Sequence, residues 1–373
     1  VFIGLMSGTS LDGIDGVLVD FTPQRAAPLH VIAHAAADFP AGLRAELLAL
    51  NSSSADEIHR GALAANALAR AYAGVVESLL ARSGLDRGAV AAIGCHGQTV
   101  RHRPKEFDGT GYTVQLNAPA LLAELTGIDV IVDFRSRDVA AHGQGAPLAP
   151  AFHRAVFARP GNALAVLNLG GIANLTAIDA EGATVGFDCG PANTLLDRWC
   201  AASSGRPFDA AGAWAATGQV DERLLDVLLS EPYFALPAPK STGRDLFDER
   251  WLESRLAAGD ARQRLGAHDI QATLAELTAR TCADACRAFA PEAFELIVCG
   301  GGAHNADLMG RIARRVSPTR VVTSAERGLP VDQVEATAFA WLAQAFTRRE
   351  PGNIAAVTGA AGPRILGALY PAS

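Results

Sequence analysis

The alternation of apolar and polar stretches predicts two β-hairpins of similar design. Residues 1–6 form a short apolar run, residues 7–13 a glycine-rich polar turn, and residues 14–19 a second apolar run. Residues 163–179 repeat this arrangement around a central Gly-Gly pair. Short apolar runs separated by glycine-containing polar turns are typical of hairpins. The order of elements repeats although the residues of the two segments are hardly similar. The pattern therefore predicts a fold that is duplicated in two halves.

Helical periodicity dominates much of the remaining chain. Apolar residues recur at helical spacing over 41–84, where Ser54 and Glu57 predict a capping box and Gly84 a helix stop. Asn117 is predicted to cap a helix that ends near Gly127, and further helices are predicted from Asn193, within 207–290, from near Asn305 and over 333–347. Further strands are predicted over 89–95, 128–133, 184–188, 295–299 and 321–322, and residues 351–364 read as a loop. The expected fold class is α/β.

The chain length of 373 residues favours two domains, or one large domain built in two halves. No segment is disordered enough in composition to be a linker between independent modules. The predicted parts are an N-terminal lobe over 1–130 with the first hairpin and a C-terminal lobe over 131–350 with the second. A C-terminal segment, 351–373, is expected to pack back on the N-terminal lobe.

Composition and charge narrow the classes of function. A hydrophobic content of 49% with 19% charged residues describes a folded chain with a substantial core. The net charge of −7 argues against nucleic acid or an anionic membrane as the main partner. The six cysteines form no C-x-x-C pair, the first residues lack a basic region, and no apolar run is long enough for a membrane span. We therefore expect a protein of the reducing cytoplasm.

The scarcity of lysine excludes one kind of nucleotide site. Lys105 and Lys240 are the only lysines of the sequence, and neither follows a glycine. A Walker A loop requires Gly-Lys-Ser or Gly-Lys-Thr. If the protein binds a nucleoside triphosphate, it does so without a P-loop.

Three glycine-rich loops are candidates for binding a nucleotide. In the first, over 7–15, consecutive N–H groups suit an anion, and Asp12 and Asp15 suit a metal or a metal-bound water. An ordinary polar hairpin turn is the alternative. The turn within 168–176 suits the same task, and the run 300–302 lies where a strand meets a helix. Together the loops predict two hairpins that hold phosphates and a turn that faces the nucleoside. The predicted nucleotide-binding residues are Gly8, Thr9, Ser10, Leu11, Asp12, Gly13, Ile14, Asp15, Asn168, Gly170, Gly171, Asn174, Gly300, Gly301 and Gly302.

Two carboxylates stand out as candidates for catalysis. Asp188 ends a predicted strand, at the edge where open sheets present their chemistry, and a carboxylate there suits deprotonation of a hydroxyl or a water. A helix N-cap is the competing interpretation of Asp188. Glu335 lies in an otherwise apolar helical stretch and needs a partner, which makes an active-site role plausible.

Polar residues in three further loops are candidates for holding a substrate. Asp133, Arg135 and Asp138 share one strand-exit loop, for which a surface salt-bridge cluster is an equally good interpretation. His96 and His142 lie in glycine-rich loops, where an imidazole is well placed to donate to a substrate. No spacing of His or Cys predicts a metal site, and the metal ligands are not predicted.

Nine motifs resemble those of the anhydro-N-acetylmuramic acid kinase family, in the same order and over nearly the whole chain. The motifs are MSGTSLDGID, CHGQTVRHRP, VDFRSRDVAAHGQGAPL, LNLGGIANLT, GFDCGPANTLLD, PKSTGRDLF, VCGGGAHN, VEATAFAWLA and VTGAAGPRILGALYP. That family belongs to the actin/sugar-kinase/Hsp70 superfamily. The resemblance implies a two-lobed actin-like ATPase fold of duplicated, ribonuclease H-like domains with ATP in the interdomain cleft.

The resemblance also implies an activity. The enzyme would use ATP, Mg²⁺ and water to convert 1,6-anhydro-N-acetylmuramic acid to N-acetylmuramic acid 6-phosphate in peptidoglycan recycling. Asp188 matches the family's motif aspartate, which would activate water for attack at the anomeric carbon while O6 takes the γ-phosphoryl group. Glu335 matches the second active-site carboxylate, and a homodimer is implied. The expected substrate contacts are His96, Gln98, Asp133, Arg135, Asp138, Gln144 and Asn193.

Alternative functions differ in their chemistry. Another sugar kinase of the same superfamily would phosphorylate a free hydroxyl and consume no water. A nucleotide-driven module without enzymatic activity would bind ATP and change its lobe angle. A plain glycosidase that used Asp188 and Glu335 would leave the three glycine-rich loops unexplained.

The chain departs from the family pattern at a few positions. The family usually reads Asp-Thr-Gly-Pro-Gly-Asn where this chain has Cys189 and Ala192, and it has a glycine at the position of His142. None of these changes touches the candidate base, so we expect changed kinetics or packing with activity kept. Lys240 lies in the PKSTGRDLF motif, where it would contact phosphate or tie down a loop, and the second interpretation is slightly favoured.

Overall fold

The structure of the chain is a computed structural model that describes residues 1–8, 11, 13–22, 29–242 and 246–372. The chain forms two compact units. The first contains residues 1–156 and the residues from 333 onward, and the second contains residues 157–332. The sequence placed these boundaries at 130 and 350, so the chain leaves the first unit later, and returns to it earlier, than expected.

The described residues contain strands in both units. In chain order the strands are β1 (Phe2–Met6), β2 (Ile14–Asp20), β3 (His30–Ala37), β4 (Ala92–Cys95), β5 (Gln98–Pro104), β6 (Gly111–Leu116), β7 (Val130–Val132), β8 (Leu164–Leu169), β9 (Ile172–Ile178), β10 (Thr184–Pro191), β11 (Glu295–Cys299), β12 (Arg320–Thr323) and β13 (Ala368–Tyr370).

The described residues also contain helices of very different lengths. In chain order the α-helices are α1 (Leu43–Ala49), α2 (Glu57–Ser83), α3 (Pro119–Thr126), α4 (Ser136–Ala140), α5 (Ala149–Phe157), α6 (Asn193–Ser204), α7 (Glu222–Leu229), α8 (Glu249–Ala258), α9 (Ala261–Arg264), α10 (Ala267–Phe289), α11 (Ala306–Val316), α12 (Val334–Thr347) and α13 (Ala355–Thr358). None of the helices in the described part of the chain is both long and apolar enough to cross a bilayer.

The main sheets of the two units share one topology. In the first unit the strand order is β13-β7-β4-β1-β2-β3, and in the second it is β10-β9-β8-β11-β12. Each begins with three consecutive antiparallel strands, β1 to β3 or β8 to β10. Two parallel strands then extend the sheet beyond the first strand, β4 and β7 in one unit and β11 and β12 in the other. This repeat confirms the predicted duplication and the actin-like fold class.

The C-terminal segment completes the first sheet. Strand β13 pairs antiparallel with β7, with Ala368 opposite Val132 and Tyr370 opposite Val130. The segment 351–364, which the sequence presented as a loop, is mostly irregular but contains the short helix α13.

Helices cover both faces of the first sheet. The side chains of Ile3 and Leu5 on β1 belong to an apolar core that also includes residues of α1, α2 and α3. On the opposite face α12 lies so close that a Cβ atom on Gly4 would overlap the carbonyl oxygen of Ala336. A Cβ atom on Gly94 of β4 would likewise overlap a carbonyl oxygen of α12. The two glycines therefore let the backbone of α12 lie directly on β1 and β4, which sets the position of its first turn.

Several predicted elements have different limits in the structure. The helical stretch 41–84 is two helices, α1 and α2. The predicted capping box is half present, because Glu57 accepts the Ser54 N–H at 3.2 Å while the Ser54 hydroxyl accepts from Arg60 at 2.9 Å. The prediction that Asn117 caps a helix was wrong, since α3 begins at Pro119 and its N-cap residue is Ala118. Strand β3 and the hairpin of β5 and β6 were not predicted, because their sequences lack a continuous apolar run.

Candidate active site

The first predicted phosphate turn joins β1 to β2. Three of its predicted residues lie outside the described residues: Thr9, Ser10 and Asp12. The N–H of Leu11 donates to the carbonyl of Gly8 at 3.1 Å, and Leu11 has φ 57°, in the left-handed region that non-glycine residues rarely adopt. The side chains of Leu11 and Ile14 lie in the apolar core, so a ligand in this turn would meet only their backbone groups.

The remaining residues of this turn face β3. Asp15 of β2 lies opposite Met6 of β1, and its carboxylate contacts His34 Nε2 at 3.3 Å. A Cβ atom on Gly13 would lie 2.8 Å from the carbonyl oxygen of Ala37, so the close approach of β3 requires glycine there. The structure thus gives Asp15 a protein partner in addition to any ligand.

A predicted substrate residue contacts the same turn. Gln98 is 1% exposed, and its Nε2 donates to the carbonyl oxygen of Gly8 at 3.2 Å. The Oε1 atom of Gln98 is buried and accepts no hydrogen bond from the described residues. A buried amide oxygen without a donor is costly, so this atom is a strong candidate for contact with a ligand.

The side chains of His96 and Arg135 form the polar centre of the first unit. Arg135 donates to His96 Nε2 from Nε at 3.1 Å and from Nη2 at 3.0 Å, and its Nη1 donates to the Gly145 carbonyl at 2.8 Å. Burial and the charge of Arg135 hold the pKa of His96 well below its ordinary value. The His96 Nδ1 atom is buried and has no partner among the described residues. Both residues were predicted to contact substrate, and the structure brings them together.

Glu335 lies in the first turn of α12 and is exposed. Burial lowers the pKa of Arg135 to about 10, while the charges of Glu335 and Asp138 raise it. Glu335 is therefore close enough to Arg135 to stabilise its cation electrostatically. The predicted second carboxylate, the predicted arginine clamp and the imidazole of His96 belong to one group within the first unit.

Two aspartates of the loop after β7 have different environments. Asp133 is exposed, adopts a left-handed φ of 59° and accepts the Ser136 N–H at 3.3 Å. Non-glycine residues in this conformation concentrate at functional sites. Asp138 is fully buried, and its oxygens accept from the Gly145 N–H at 2.8 Å, Asn353 Nδ2 at 2.6 Å and the Thr358 hydroxyl at 2.7 Å. Within the described residues neither aspartate forms the surface salt bridge that was the alternative, and Asp138 fixes the loop that carries Arg135.

The segment after α4 explains one departure from the family pattern. His142 donates its N–H to the Val139 carbonyl at 2.8 Å, and Gly143 donates to the Asp138 carbonyl at 2.9 Å. These two bonds form a Schellman motif, in which the residue at the position of His142 is usually glycine. His142 has φ 64° and is exposed. Gln144, two residues on, is half-buried and donates its backbone N–H to the Thr358 carbonyl at 2.7 Å.

In the second unit, three predicted residues lie in one row across the sheet. Asn168 of β8 pairs with Asn174 of β9, and Asn174 pairs with Asp188 of β10. Directly paired residues project to the same face of a sheet. The neighbours Leu167 and Leu169 project to the opposite face, into the apolar core. The predicted second phosphate hairpin and the candidate base therefore present their polar groups on one surface.

The glycine run 300–302 packs against the same hairpin. A Cβ atom on Gly300 would overlap Asn168 Oδ1, and one on Gly302 would lie 2.6 Å from Leu169 Cβ. Gly301 begins a short 3₁₀ helix, and Gly300 is the N-cap residue of that helix. Asn193 donates its Nδ2 to the Leu169 carbonyl at 3.0 Å. Asn193 was predicted as a substrate contact, and its side chain lies beside the predicted nucleotide loops.

Gly170 and Gly171 connect the hairpin to α6. Their carbonyl oxygens accept the N–H groups of Asn193 at 3.1 Å, and of Ala192 and Thr194 at 3.0 and 3.1 Å. A Cβ atom on Gly171 would lie 2.6 Å from Thr194 Oγ1, and that hydroxyl is buried without a partner in the described residues. The hairpin turn is therefore fixed on the first turn of α6.

Asp188 is held by the segment 233–242. Its carboxylate Oδ2 accepts the Thr242 N–H at 2.9 Å, its N–H donates to the Lys240 carbonyl at 3.1 Å, and its carbonyl accepts from the Tyr233 hydroxyl at 2.8 Å. Burial raises the pKa of Asp188 to about 6, and the Thr242 N–H opposes that rise. Strand β10 continues past Asp188 with a bulge, and α6 begins after Ala192, so the N-cap interpretation of Asp188 was wrong. A carboxylate with this pKa is ionised at neutral pH and still basic enough to accept a proton.

Tyr233 and Thr242 were not predicted, because the spacing of 45 and 54 residues from Asp188 carries no local signal. The one available signal was the motif around Lys240. The Lys240 Nζ atom donates to the Tyr233 and Phe234 carbonyls at 3.1 and 3.0 Å. This confirms the interpretation that Lys240 ties down a loop.

Two further kinds of group bear on the chemistry of the protein: possible metal ligands and cysteine thiols. Among the residues that the structure describes, no three His, Cys, Asp or Glu side chains converge as metal ligands. A Mg²⁺ ion bound together with a nucleotide typically needs one or two carboxylates, so such a cluster is not a requirement. The six cysteines are buried thiols that form no disulfide bond.

Comparison with known proteins gives full-length matches. The profile of the family described as "Anhydro-N-acetylmuramic acid kinase" matches residues 1–372. A protein of Variovorax paradoxus with that name is 58% identical, over 100% of this chain and 99% of its own length. One of Bordetella petrii is 59% identical over 100% and 96%. Among solved structures, the activator of the 2-hydroxyisocaproyl-CoA dehydratase from Clostridium difficile with bound ADPNP is 13% identical, with a TM-score of 0.49 over 93% and 96%. The solved structure is too dissimilar to bear on function, so evidence on function comes from the sequence relatives.

Proposed function

Because the chain belongs to the anhydro-N-acetylmuramic acid kinase family, we propose that it phosphorylates 1,6-anhydro-N-acetylmuramic acid with ATP. The reaction opens the anhydro bridge with one water molecule and yields N-acetylmuramic acid 6-phosphate. The observation that carries this proposal is the match of named relatives at 58% and 59% identity along the whole chain. The same match disfavours a glycosidase or a non-enzymatic ATP-binding module.

Asp188 is the proposed general base. Its carboxylate takes a proton from water, the water oxygen bonds to the anomeric carbon, and the bond from that carbon to O6 breaks. The electrons of that bond remain on O6, which attacks the γ-phosphorus of ATP and releases ADP. The pKa of about 6 and the fixed position on β10 support this role. General-base catalysis of this kind contributes about 10²- to 10⁴-fold to the rate.

The polar group of the first unit is proposed to hold the sugar. The guanidinium of Arg135 donates to His96 and to the Gly145 carbonyl, and neither of these acceptors is a carboxylate. A guanidinium suits the lactyl carboxylate of the substrate. The buried Nδ1 of His96 and Oε1 of Gln98 offer one donor and one acceptor for the sugar's hydroxyl or acetamido groups. Glu335 is proposed as the second carboxylate of the site.

Phosphate binding is proposed to rest on backbone groups. Phosphoryl transfer depends mainly on positioning and charge stabilisation, so N–H groups of tight turns replace a P-loop lysine. The turn after β1 and the turn between β8 and β9 are proposed to contact the phosphates of ATP, and residues 300–302 the nucleoside. Mg²⁺ would neutralise phosphate charge, and the oxygen atoms of Asn168, Asn174 and Asp188 on one face are of the type that it prefers.

An isotope experiment tests the coupled reaction. The protein is incubated with ATP, Mg²⁺, the anhydro-sugar and ¹⁸O-water, and the product is analysed by mass spectrometry. We expect ¹⁸O at C1 of a sugar that carries phosphate on O6. Phosphorylation without label would favour a sugar kinase that lacks the hydrolytic step, and no phosphorylation would overturn the kinase proposal.

A pair of variants tests the base. We expect Asp188→Asn to abolish turnover and to leave ATP binding nearly intact, because the amide cannot accept the proton. Asp226→Asn, at an exposed position of α7, is the matched control and should behave as the unaltered protein. Unchanged turnover in Asp188→Asn would show that another group is the base.

Compartment and assembly are further parts of the proposal. Six cysteines without a disulfide bond are typical of a reducing compartment such as the cytoplasm. A homodimer is proposed from the family resemblance, and light scattering coupled to size-exclusion chromatography tests it by the measured mass.

A further inference from the structure

A cationic pocket lies in the first unit, lined by residues that the proposed function does not use. Its volume is about 530 Å³, and its lining includes three arginines from separate parts of the chain. Arg137 belongs to α4, Arg349 follows the end of α12, and Arg364 lies in the segment that leads to β13. Apolar side chains complete the wall: Phe346, Pro363 and Ile365.

The charge of this arginine pocket is not neutralised by the protein. Within the described ranges, no carboxylate lies within 4.0 Å of a guanidinium nitrogen of Arg137, Arg349 or Arg364. The Nη1 atom of Arg364 donates to the Pro363 carbonyl at 2.9 Å. Three cations around one cavity repel one another, and an anion in the cavity relieves that repulsion.

The backbone that carries two of the arginines is fixed. Arg349 has φ 56°, a left-handed conformation that costs free energy in a residue with a side chain, and its N–H donates to the Phe346 carbonyl at 3.0 Å. The Arg364 N–H donates to Asn353 Oδ1 at 2.7 Å, and Asn353 in turn donates to the buried carboxylate of Asp138. A fixed backbone lowers the entropy that these two arginines lose when a ligand binds.

From this arrangement we propose that the arginine pocket binds a phosphorylated small molecule. Guanidinium groups bind phosphate through paired, charge-assisted hydrogen bonds. The apolar wall gives an organic body a contact surface that inorganic phosphate does not use. The volume lies within the range of small-molecule sites. This site is independent of the proposed kinase activity, because none of its lining residues belongs to the candidate active site.

Isothermal titration calorimetry tests the proposal with two probes, N-acetylglucosamine 6-phosphate and inorganic phosphate. We expect the sugar phosphate to bind more tightly than phosphate alone. Arg349→Gln and Arg364→Gln should each weaken sugar phosphate binding about tenfold or more, as loss of a charge-assisted hydrogen bond does. Arg137→Gln, on another element, should give the same result.

The adjacent Arg348→Gln is the matched control, because Arg348 is exposed, carries the same charge and does not line the pocket. It should bind as the unaltered protein does. Absence of binding to the unaltered protein, or an equal loss in Arg348→Gln, would overturn the proposal. Equal affinity for the two probes would also overturn it as a site for an organic phosphate. Circular dichroism of each variant establishes that the compared proteins are folded.

Discussion

The Nε2 atom of His96 accepts hydrogen bonds from Nε and Nη2 of Arg135, at 3.1 and 3.0 Å. A guanidinium only donates, so Nε2 carries no proton, and in the neutral ring the proton lies on Nδ1. Burial and the charge of Arg135 lower the pKa of His96 well below its ordinary value, which keeps the ring neutral. The arginine thus selects the tautomer and leaves a buried N–H donor that has no acceptor among the described residues.

We expect ¹⁵N NMR of histidine-labelled protein to show His96 as the Nδ1–H tautomer from pH 8 down to pH 5. Its resonances are assigned by their loss in His96→Gln. A His96 signal that titrates near pH 6.5, the ordinary value for histidine, would contradict the assignment of the bond to Arg135.

A second prediction concerns the bond from the Thr242 N–H to Asp188. That bond stabilises the carboxylate and holds its pKa below the value that burial alone would set. Thr242→Pro removes the N–H, so the pKa of Asp188 rises. Because the base must be ionised, the acid limb of kcat/KM, expected near pH 6, moves to higher pH. The pH profile of kcat/KM over pH 5 to 9 measures this shift.

Thr242→Ala is the control for this prediction, because it keeps the backbone N–H and removes only the hydroxyl. Its acid limb should stay where it is in the unaltered protein. An acid limb that moves equally in both variants would mean that the hydroxyl, not the N–H, sets the pKa of Asp188.

The elements that the sequence predicted well are those with strong local signals. The apolar runs flanking the turns after Met6 and Leu169 gave both hairpins, and the strand 295–299 has the predicted bounds. The duplicated order of elements was enough to predict the matching topology of the two sheets. These features depend on residues close together in the chain, where periodicity and turn chemistry are decisive.

The features that were missed depend on contacts between distant residues. Strand β3 is an edge strand in which His34 interrupts the apolar residues and half of the residues are alanine, so its sequence gives only a weak strand signal. The hydrogen bonds that hold Asp188 come from Tyr233 and Thr242, which lie 45 and 54 residues further along the chain. For Asp138 the sequence left a substrate contact and a surface salt bridge open, yet its carboxylate is buried against Asn353 and Thr358, more than 200 residues later. Spacing along the chain carries no information on such pairs.

A third prediction concerns His142 in the Schellman motif after α4. A left-handed conformation costs a residue with a Cβ about 1–2 kcal/mol, while glycine loses about 0.5–1 kcal/mol more backbone entropy on folding. We therefore expect His142→Gly to raise the free energy of unfolding by about 0.5 kcal/mol, since His142 has φ 64° and is exposed. Urea denaturation measures the difference. His142→Ala keeps a Cβ and should show no gain, so a gain in both variants would point to the imidazole instead of the backbone.

The last prediction concerns the packing of α12, which carries Glu335. A Cβ atom on Gly94 would overlap the carbonyl oxygen of Phe339 and lie 3.0 Å from Ala343 Cβ. Backbone atoms at this contact cannot move aside as a flexible side chain can, so Gly94→Ala has to displace the helix or the strand. We expect a loss of about 3 kcal/mol or more of unfolding free energy, at the upper end of overpacking effects. Because the shift also moves Glu335 away from Arg135, KM for the sugar should rise in whatever protein remains folded.

Gly74→Ala is the matched control for this prediction. Gly74 is exposed in the interior of α2, and a Cβ atom there meets nothing within 4 Å. The same chemical change should therefore stabilise the protein, by about 0.5–1 kcal/mol from helix propensity. Urea midpoints and sugar KM values of the two variants give the comparison. Equal stability of Gly94→Ala and Gly74→Ala would show that α12 does not lie as close to β4 as described, and the position of Glu335 beside Arg135 would then lose its structural basis.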